Sequence, residues 1–534
     1  MMMIRTLFVF TALLLLSVAM HWVSGSFDNS LSGHPDEPSH FLTGLMIRDW
    51  LLGFPHPNPM AFVYNYYEHY PKIALGHWPP LFYGALGVWF VIFPATHVSA
   101  LLMMTLVTAA LATTLYCCLN KRFGWASALL AAVLFVIVPL TQAIDSLIMT
   151  GTLVSLLSIL ATLAFARFLK LHTAGSSLLF GIIASAAILT RGSAFSLALV
   201  PVIAIILTHR QELLYSWRLW ISVIPVSLFC LPWYFATREY MTGTWAGAAG
   251  FIEYEFDSFV LYGAAYFTHF GPALLIPALI GFHSTVIKPW KNDGVTPFWA
   301  SLTALLIATI IFHLSVPASI ELRFLMPTLF PMMAFFVAGS ALITQRVSAF
   351  GLSNAVSHIA VYGVILALFI KITFFVVDSR SHGYQQAASI AVALTEPDAT
   401  LLISSDSIGE GSFVAEVAIQ SQRPDGRYVL RGSKKLSSSD WIGRDYKLLL
   451  NNPQAIIDYL NTQKVQLIAI DRSIPEENQR PDMALLEQTL AQNSHQWQPV
   501  GTVFITRKTK QDSNQMQLFH RVDTTQITTQ LIPK

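Results

Sequence analysis

Charge is what this chain has least of. Only 12% of its 534 residues are Asp, Glu, Lys or Arg, about half the share found in ordinary soluble domains. With 54% of its residues hydrophobic, such a chain does not describe a water-soluble enzyme; it describes a polytopic membrane protein. No single sign of charge prevails either. The formal net charge is +2 and no long basic run occurs, which argues against nucleic acid as a partner. Cysteine is scarce as well. Cys117, Cys118 and Cys230 all lie in apolar segments, and adjacent residues such as Cys117 and Cys118 make poor disulfide partners, so no disulfide framework is expected. Internal repeats and low-complexity tracts are absent.

What the chain does have is a series of apolar segments, from Leu7 to about Val377, each long enough for a helix to cross roughly 30 Å of hydrocarbon. Beyond them the composition turns polar and mixed. Residues 1–377 are therefore expected to form a membrane domain with a large first outer loop, 25–96, and residues 378–534 a soluble domain. The first segment, MMMIRTLFVFTALLLLSVAM, precedes a small-residue Val23-Ser24-Gly25 that loosely resembles a cleavage site. The many spans that follow favour an uncleaved first helix.

Basic residues near helix ends tend to stay cytoplasmic. Arg5, then Lys121 and Arg122, Arg167 and Lys170, His209 with Arg210 and Arg218, Lys288 with Lys291, and Arg346 mark a series of short basic loops. Placing them all inside puts Asp36 and Glu37, Asp145, Arg191, the turn from Thr237 to Asp257, and Glu321 to Arg323 outside. This threading leaves PPLFYGALGVWFVIFP (79–94) no room to cross; short and flanked by proline, it reads as a re-entrant or interfacial piece. About eleven spanning helices result, an odd number that places the tail outside the cytoplasmic (inner) membrane.

The tail reads as a small α/β domain. TLLISS (400–405), RYVLRG (427–432), VQLIAID (465–471) and VGTVFIT (500–506) are strand-like. GSFVAEVAIQ and PQAIIDYLNTQ have helical spacing, the second opening at Pro453 after a capping Asn452. Strands alternating with helices favour a mostly parallel sheet. GEG in SSDSIGEGSF follows a strand and opens a helix, yet lacks the spacing of a dinucleotide fingerprint and reads as turn chemistry. The tyrosines of YNYYEHY (64–70), with EYEFDSF (253–259), read first as an interfacial aromatic belt and second as a sugar-stacking surface.

Ionisable groups at a bilayer edge are costly unless paired or wet, so a set of them is a candidate site. The outer set is Asp36, Glu37, His77, Asp145, Arg191, Glu321 and Arg323, expected to meet in one pocket. A carboxylate beside a hydroxyl can serve as general base, and guanidinium groups bind phosphate oxygens in pairs. Together they suit transfer from a phosphate-linked donor to a hydroxyl. Each residue also has a plainer reading: a solvated Pro-Asp-Glu-Pro turn for Asp36 and Glu37, loop packing on Trp78 for His77, an N-cap for Asp145, snorkelling for Arg191, and mutual pairing for Glu321 and Arg323.

The combination is more specific than any member. An acidic pair after the first helix, HWPPLFY (77–83), Asp145 opening a later helix, ILTRGSAFSLALVP (188–201), LPWYF (231–235) and ELRFLMPTLFPMMAFF (321–336) together resemble the GT-C glycosyltransferases. Within that class the pattern is most similar to the family 39 type, which includes protein O-mannosyltransferases and the bacterial transferase that adds aminoarabinose to lipid A. The resemblance spans roughly residues 1–377. It implies a polyprenyl-phosphate-linked sugar donor, a hydroxyl-bearing acceptor, and transfer on the outer face of the inner membrane with inversion at the sugar carbon.

The family's first-loop acidic pair corresponds to Asp36 and Glu37, with Asp36 as base or acceptor-binding carboxylate, and its second acidic position to Asp145. Arg323 corresponds to a phosphate ligand, with Arg191 and His77 as companions. Relatives often carry a basic residue directly before the Pro-Pro-Leu; here Trp78 holds that place and His77 is one further back. Asp36, Glu37 and Asp145 also supply hard oxygen ligands of the kind magnesium or manganese takes, although the sequence does not require a metal. Two other readings stand beside this one. A transporter or lipid-linked-sugar flippase calls for mid-helix charges and paired halves, whereas here the charges gather at helix ends and no repeat is found. A non-catalytic anchor presenting the tail is the third. The sugar, and whether the acceptor is lipid, glycan or protein, stay open.

Overall fold

The structure, a computed structural model, describes residues 2–55, 58–74, 76–241, 251–317, 319–421, 423–439, 445–507 and 514–522. Two compact units emerge: Met1–Ser24, Gly76–Phe82 and Leu102–Val377 form one, and Gly25–Leu75, Tyr83–Leu101 and Asp378–Lys534 the other.

The first unit is helical. Among the described residues eight helices are long and apolar enough to cross a membrane, and a ninth span results if Trp125–Ile137 and Pro139–Asp145, bent by 55°, are taken as one. The bend has a local cause. Pro139 lacks the N–H that would continue the helix and disfavours helical backbone at the residue before it, and Val138 is extended, with φ −60° and ψ 134°. Ala174–Thr190 and Gly192–Leu207 are apolar but shorter; counted as spans, they bring the total to the expected eleven. Leu81–Ile92 has 12 residues and rises only about 18 Å, too little to cross. Residues 242–250 of the expected outer turn lie outside the described residues.

Small residues let these helices approach closely. Pro272–Phe282 packs on Met326–Ser348 through Gly281 and Gly339, where an added Cβ would run into the facing carbonyl oxygens of Phe335 and Pro277. Around that contact the core is continuous, built from residues such as Phe135, Phe165, Leu274, Leu305 and Phe330.

The second unit holds a five-stranded sheet in the order Tyr428–Arg431, Thr400–Ser404, Val465–Asp471, Gln515–Arg521, Trp497–Phe504. All four expected strands are present, but the sheet is mixed, not mostly parallel: Thr400–Ser404 pairs parallel with both neighbours, while Gln515–Arg521 runs antiparallel to both of its own. That fifth strand, unrecognised in the sequence, alternates as strands do, with Met516 and Leu518 fully buried. Helix Pro453–Thr462 opens as expected, the Asn452 side chain accepting from the Ala455 N–H.

Two local readings need correction. GEG opens a helix after a strand, as expected, but its glycines are not turn residues: Gly409 and Gly411 lie within helix Ser407–Gln420, whose first turn Asp406 caps through the Gly409 N–H. A Cβ at Gly409 would collide with Ser405 Oγ and crowd Asp471 and Arg507. The tyrosine cluster is only half a belt. On helix Pro59–His69, Tyr64 and Tyr67 face outward, while Tyr66, like Tyr70 just beyond the helix, is fully buried, and the Tyr66 hydroxyl donates to Asp49 Oδ2 at 3.0 Å.

Residues 25–75 are folded onto the tail within this unit. The Ser30 N–H donates to the Ser381 carbonyl at 3.1 Å, the Ser412 hydroxyl to the Leu31 carbonyl at 3.0 Å, and Arg423 Nε to Asp49 Oδ2 at 2.9 Å. Segments nearly 400 residues apart in sequence thus share one core.

Candidate functional site

The expected site residues are divided between the units. In the helical unit Asp145 closes the helix Pro139–Asp145 instead of opening one. Its carboxylate is buried, with Oδ1 accepting from the Thr108 hydroxyl at 2.6 Å and Oδ2 from the Ser17 hydroxyl at 3.0 Å, with His21 Nε2 also at 3.0 Å. The first helix, Met2–Ser24, thus contributes two of the three groups that hold Asp145.

Four residues further on, Met149 Sδ accepts from Arg323 Nη1 at 3.2 Å. Arg323 forms an ion pair with Glu321: Nη2 donates to Oε1 at 2.8 Å and Nε lies 2.6 Å from Oε2. Arg191 ends the helix Ala174–Thr190, and its guanidinium carbon lies 4.4 Å from the centroid of the Phe324 ring. That of Arg323 lies 5.7 Å from the same centroid, and the His313 ring stacks parallel to it at 4.5 Å. One phenyl ring therefore gathers two guanidinium groups contributed by separate helices. His77 meets Trp78 edge to face, centroids 4.9 Å apart. Gly76 beside it faces Thr237 and Tyr240, just past the helix Val223–Ala236, whose Tyr234 hydroxyl donates to the Ile188 carbonyl, three residues before Arg191.

In the other unit Asp36 stands at the N-terminus of helix Glu37–Leu52. Its side chain keeps 32% of its surface exposed and lies 3.7 Å from His34 Nδ1, which accepts the Asp36 N–H at 3.1 Å. Glu37 behaves differently. It is fully buried, its Oε2 accepts the Gly33 N–H at 3.0 Å, and its Oε1 lies 3.8 Å from His97 Nε2. Glu37 closes the loop that presents Asp36.

Three further charged residues lie in this region, and sequence reasoning passed over all of them. Lys72, half-buried after the tyrosine cluster, donates to the Ser407 carbonyl at 3.3 Å. Burial, followed by the repulsion of Arg431, lowers its pKa to about 8 against the pull of Glu410 and Asp36. Glu410, the middle of GEG, is fully buried. It takes Arg431 Nε at 2.9 Å, the Ser433 hydroxyl at 2.6 Å and the Ser433 N–H at 2.8 Å. A charged residue between two glycines at the start of a helix was the available signal.

Asp36, Glu37 and Asp145 do not fit a divalent cation. Both oxygens of Asp145 and one of Glu37 are already taken by protein donors, and no group of three or more acidic, His or Cys side chains able to hold a metal comes together among the described residues.

No protein-family model and no curated protein matches the chain. Solved structures do match it. The oligosaccharyltransferase of Archaeoglobus fulgidus in its apo form superposes with a TM-score of 0.55 at 13% identity, over 88% of this chain and 70% of that one. ArnT from Cupriavidus metallidurans in the apo state gives 0.53 at 13% identity over 96% and 98%, and its complex with undecaprenyl phosphate gives 0.51 at 13% over 96% and 99%. The chain has the GT-C glycosyltransferase fold, with the sheet-containing domain at its C-terminal end.

Proposed function

We propose that this chain is a membrane glycosyltransferase that moves a sugar from a polyprenyl-phosphate-linked donor to a hydroxyl-bearing acceptor, on the outer side of the cytoplasmic membrane. The observation that carries the reading is the pair Arg191 and Arg323 gathered on Phe324 at helix ends, on a fold shared with proteins whose solved complexes hold undecaprenyl phosphate or dolichol phosphate. Two guanidinium groups near the membrane edge suit a lipid-borne phosphate, which departs as an anion stabilised by fixed cations and needs no protonation.

In the proposed reaction the acceptor oxygen forms a bond to the sugar C1 as the bond from C1 to the phosphate oxygen breaks, with inversion at that carbon. Asp36 takes the acceptor's proton. It is the exposed member of the acidic pair, and its place at a helix N-terminus favours the ionised form. Glu37 holds Asp36 in position, Asp145 ties the first helix to the helices beside it, and Arg323, Arg191 and His77 serve the donor phosphate. A lipid, a glycan and a protein hydroxyl all satisfy this chemistry.

The test is Asp36→Asn in the full-length chain. Membranes carrying it should lose transfer while keeping normal protein abundance. Undiminished transfer from undecaprenyl-phosphate-linked sugars would remove Asp36 from the mechanism.

A further inference from the structure

The C-terminal domain touches the first outer loop at the place where Asp36 begins its helix. Helix Ser407–Gln420 meets Glu37–Leu52 through Gly411, where the position of an absent Cβ lies 2.9 Å from Lys72 Cε and 3.0 Å from Pro38 Cγ. Any residue larger than glycine there must displace the Lys72 stem or Pro38, two residues from Asp36. The neighbouring Glu410 locks Arg431, and Arg431 Nη1 reaches the Pro71 carbonyl at 3.4 Å, fixing the backbone just before Lys72. The Lys72 ammonium in turn donates to the Ser407 carbonyl in the first turn of that same helix. Every contact in this chain of side chains lies inside the second unit.

We propose that the C-terminal domain positions the base: Gly411 and the Glu410–Arg431 pair hold Pro38 and Lys72, and with them the start of the helix at which Asp36 stands. This rests on the reading of Asp36 given above. Lys72 is a positioning residue, acting through Asp36. Burial against helix Ser407–Gln420, followed by the repulsion of Arg431, lowers the Lys72 pKa to about 8, so its titration reports whether the helix is docked.

Two measurements on the full-length chain in solubilised membranes test this. Competitive acylation followed by mass spectrometry reads the Lys72 titration without any substrate, because only the neutral amine reacts. Transfer is read with undecaprenyl phosphate carrying hexoses or pentoses as donor and a membrane lipid extract as acceptor. Wild-type Lys72 should titrate near 8. Gly411→Ala should push it toward the ordinary lysine range and lower kcat roughly tenfold at unchanged donor KM, as a sub-ångström misplacement of a base does. Lys72→Arg should keep most of the rate, since arginine stays charged, and Lys72→Gln should lower it.

Lys72 titrating above 10, Lys72→Gln transferring at the wild-type rate, or Gly411→Ala protein of normal abundance transferring at the wild-type rate would each overturn the inference. Full activity of Asp36→Asn would instead overturn the underlying functional reading, so the two failures are distinguishable.

Discussion

Asp145 in the helical unit and Asp36 in the other are the same residue type and make opposite use of it. Both oxygens of Asp145 are engaged by Thr108, Ser17 and His21, and the residue is 3% exposed. Asp36 keeps a third of its side chain in solvent, with His34 3.7 Å away. A buried carboxylate whose oxygens are filled is bound into the architecture, because any substrate would have to displace donors that have no water to fall back on. A part-exposed carboxylate at a helix start meets a hydroxyl at less desolvation cost. The comparison teaches that an acidic residue's place on a sequence motif does not set its surroundings; tertiary packing does.

The comparison can be broken most sharply by exchanging the two outcomes. Asp36→Asn should lower transfer by roughly 10³-fold, within the range for losing a general base, and leave thermal unfolding unchanged. Asp145→Ala should do the reverse. By leaving His21, Ser17 and Thr108 facing a void, it should cost about 3 kcal/mol of stability, seen as lost folded protein in detergent, while the protein that does fold transfers normally. If Asp145→Ala is stable and inactive, the residue belongs to the chemistry.

The same contrast recurs on one helix of the tail. Glu410 is held by Arg431 and Ser433, whereas burial pushes the Glu416 carboxyl up to about 7. A carboxyl whose folded pKa is raised favours the folded state below its unfolded value near 4.5 and loses that contribution as pH rises through 7. Glu416→Gln should therefore raise the unfolding temperature at pH 8, by the equivalent of up to about 3 kcal/mol. The difference should vanish below pH 4.5, and thermal unfolding of the full-length chain across that range checks it.

Smaller effects sharpen the picture. Arg323→Lys should weaken donor use by about tenfold, read as a raised donor KM, because lysine offers phosphate a point charge in place of a planar set of donors. Asn452→Ala, removing a cap far from either carboxylate, should cost about 1 kcal/mol with no change in transfer.

Much of the fold could be read directly. Hydropathy located the helices, since a bilayer demands long apolar runs whatever they pack against, and the tail's four strands announced themselves by apolar runs between turns. The fifth strand was passed over because QMQLFHR alternates polar and apolar residues too weakly to stand out until a neighbour pairs with it. GEG looked like a turn because glycine is a turn residue. Its reason here, close approach of a helix to Lys72 and Pro38, exists only once the helix is docked.

The residues proposed for the site could be picked out in the sequence; which of them pack on one another could not. Arg191 and Arg323 were singled out by chemistry, but the ring that gathers them, Phe324, is one of 36 phenylalanines. Glu37 and Asp36 are neighbours in sequence, yet one is buried and the other is not, because helix formation turns consecutive side chains about 100° apart.

Amino-acid order alone determined that this is a multi-span membrane chain with an α/β tail, because solvent preference and backbone periodicity are properties of short segments. Tertiary structure decided which carboxylates are filled, which glycines must stay small, and that residues 25–75 share a unit with residues beyond 378. Those outcomes depend on which groups meet across hundreds of residues, and no local pattern encodes a meeting.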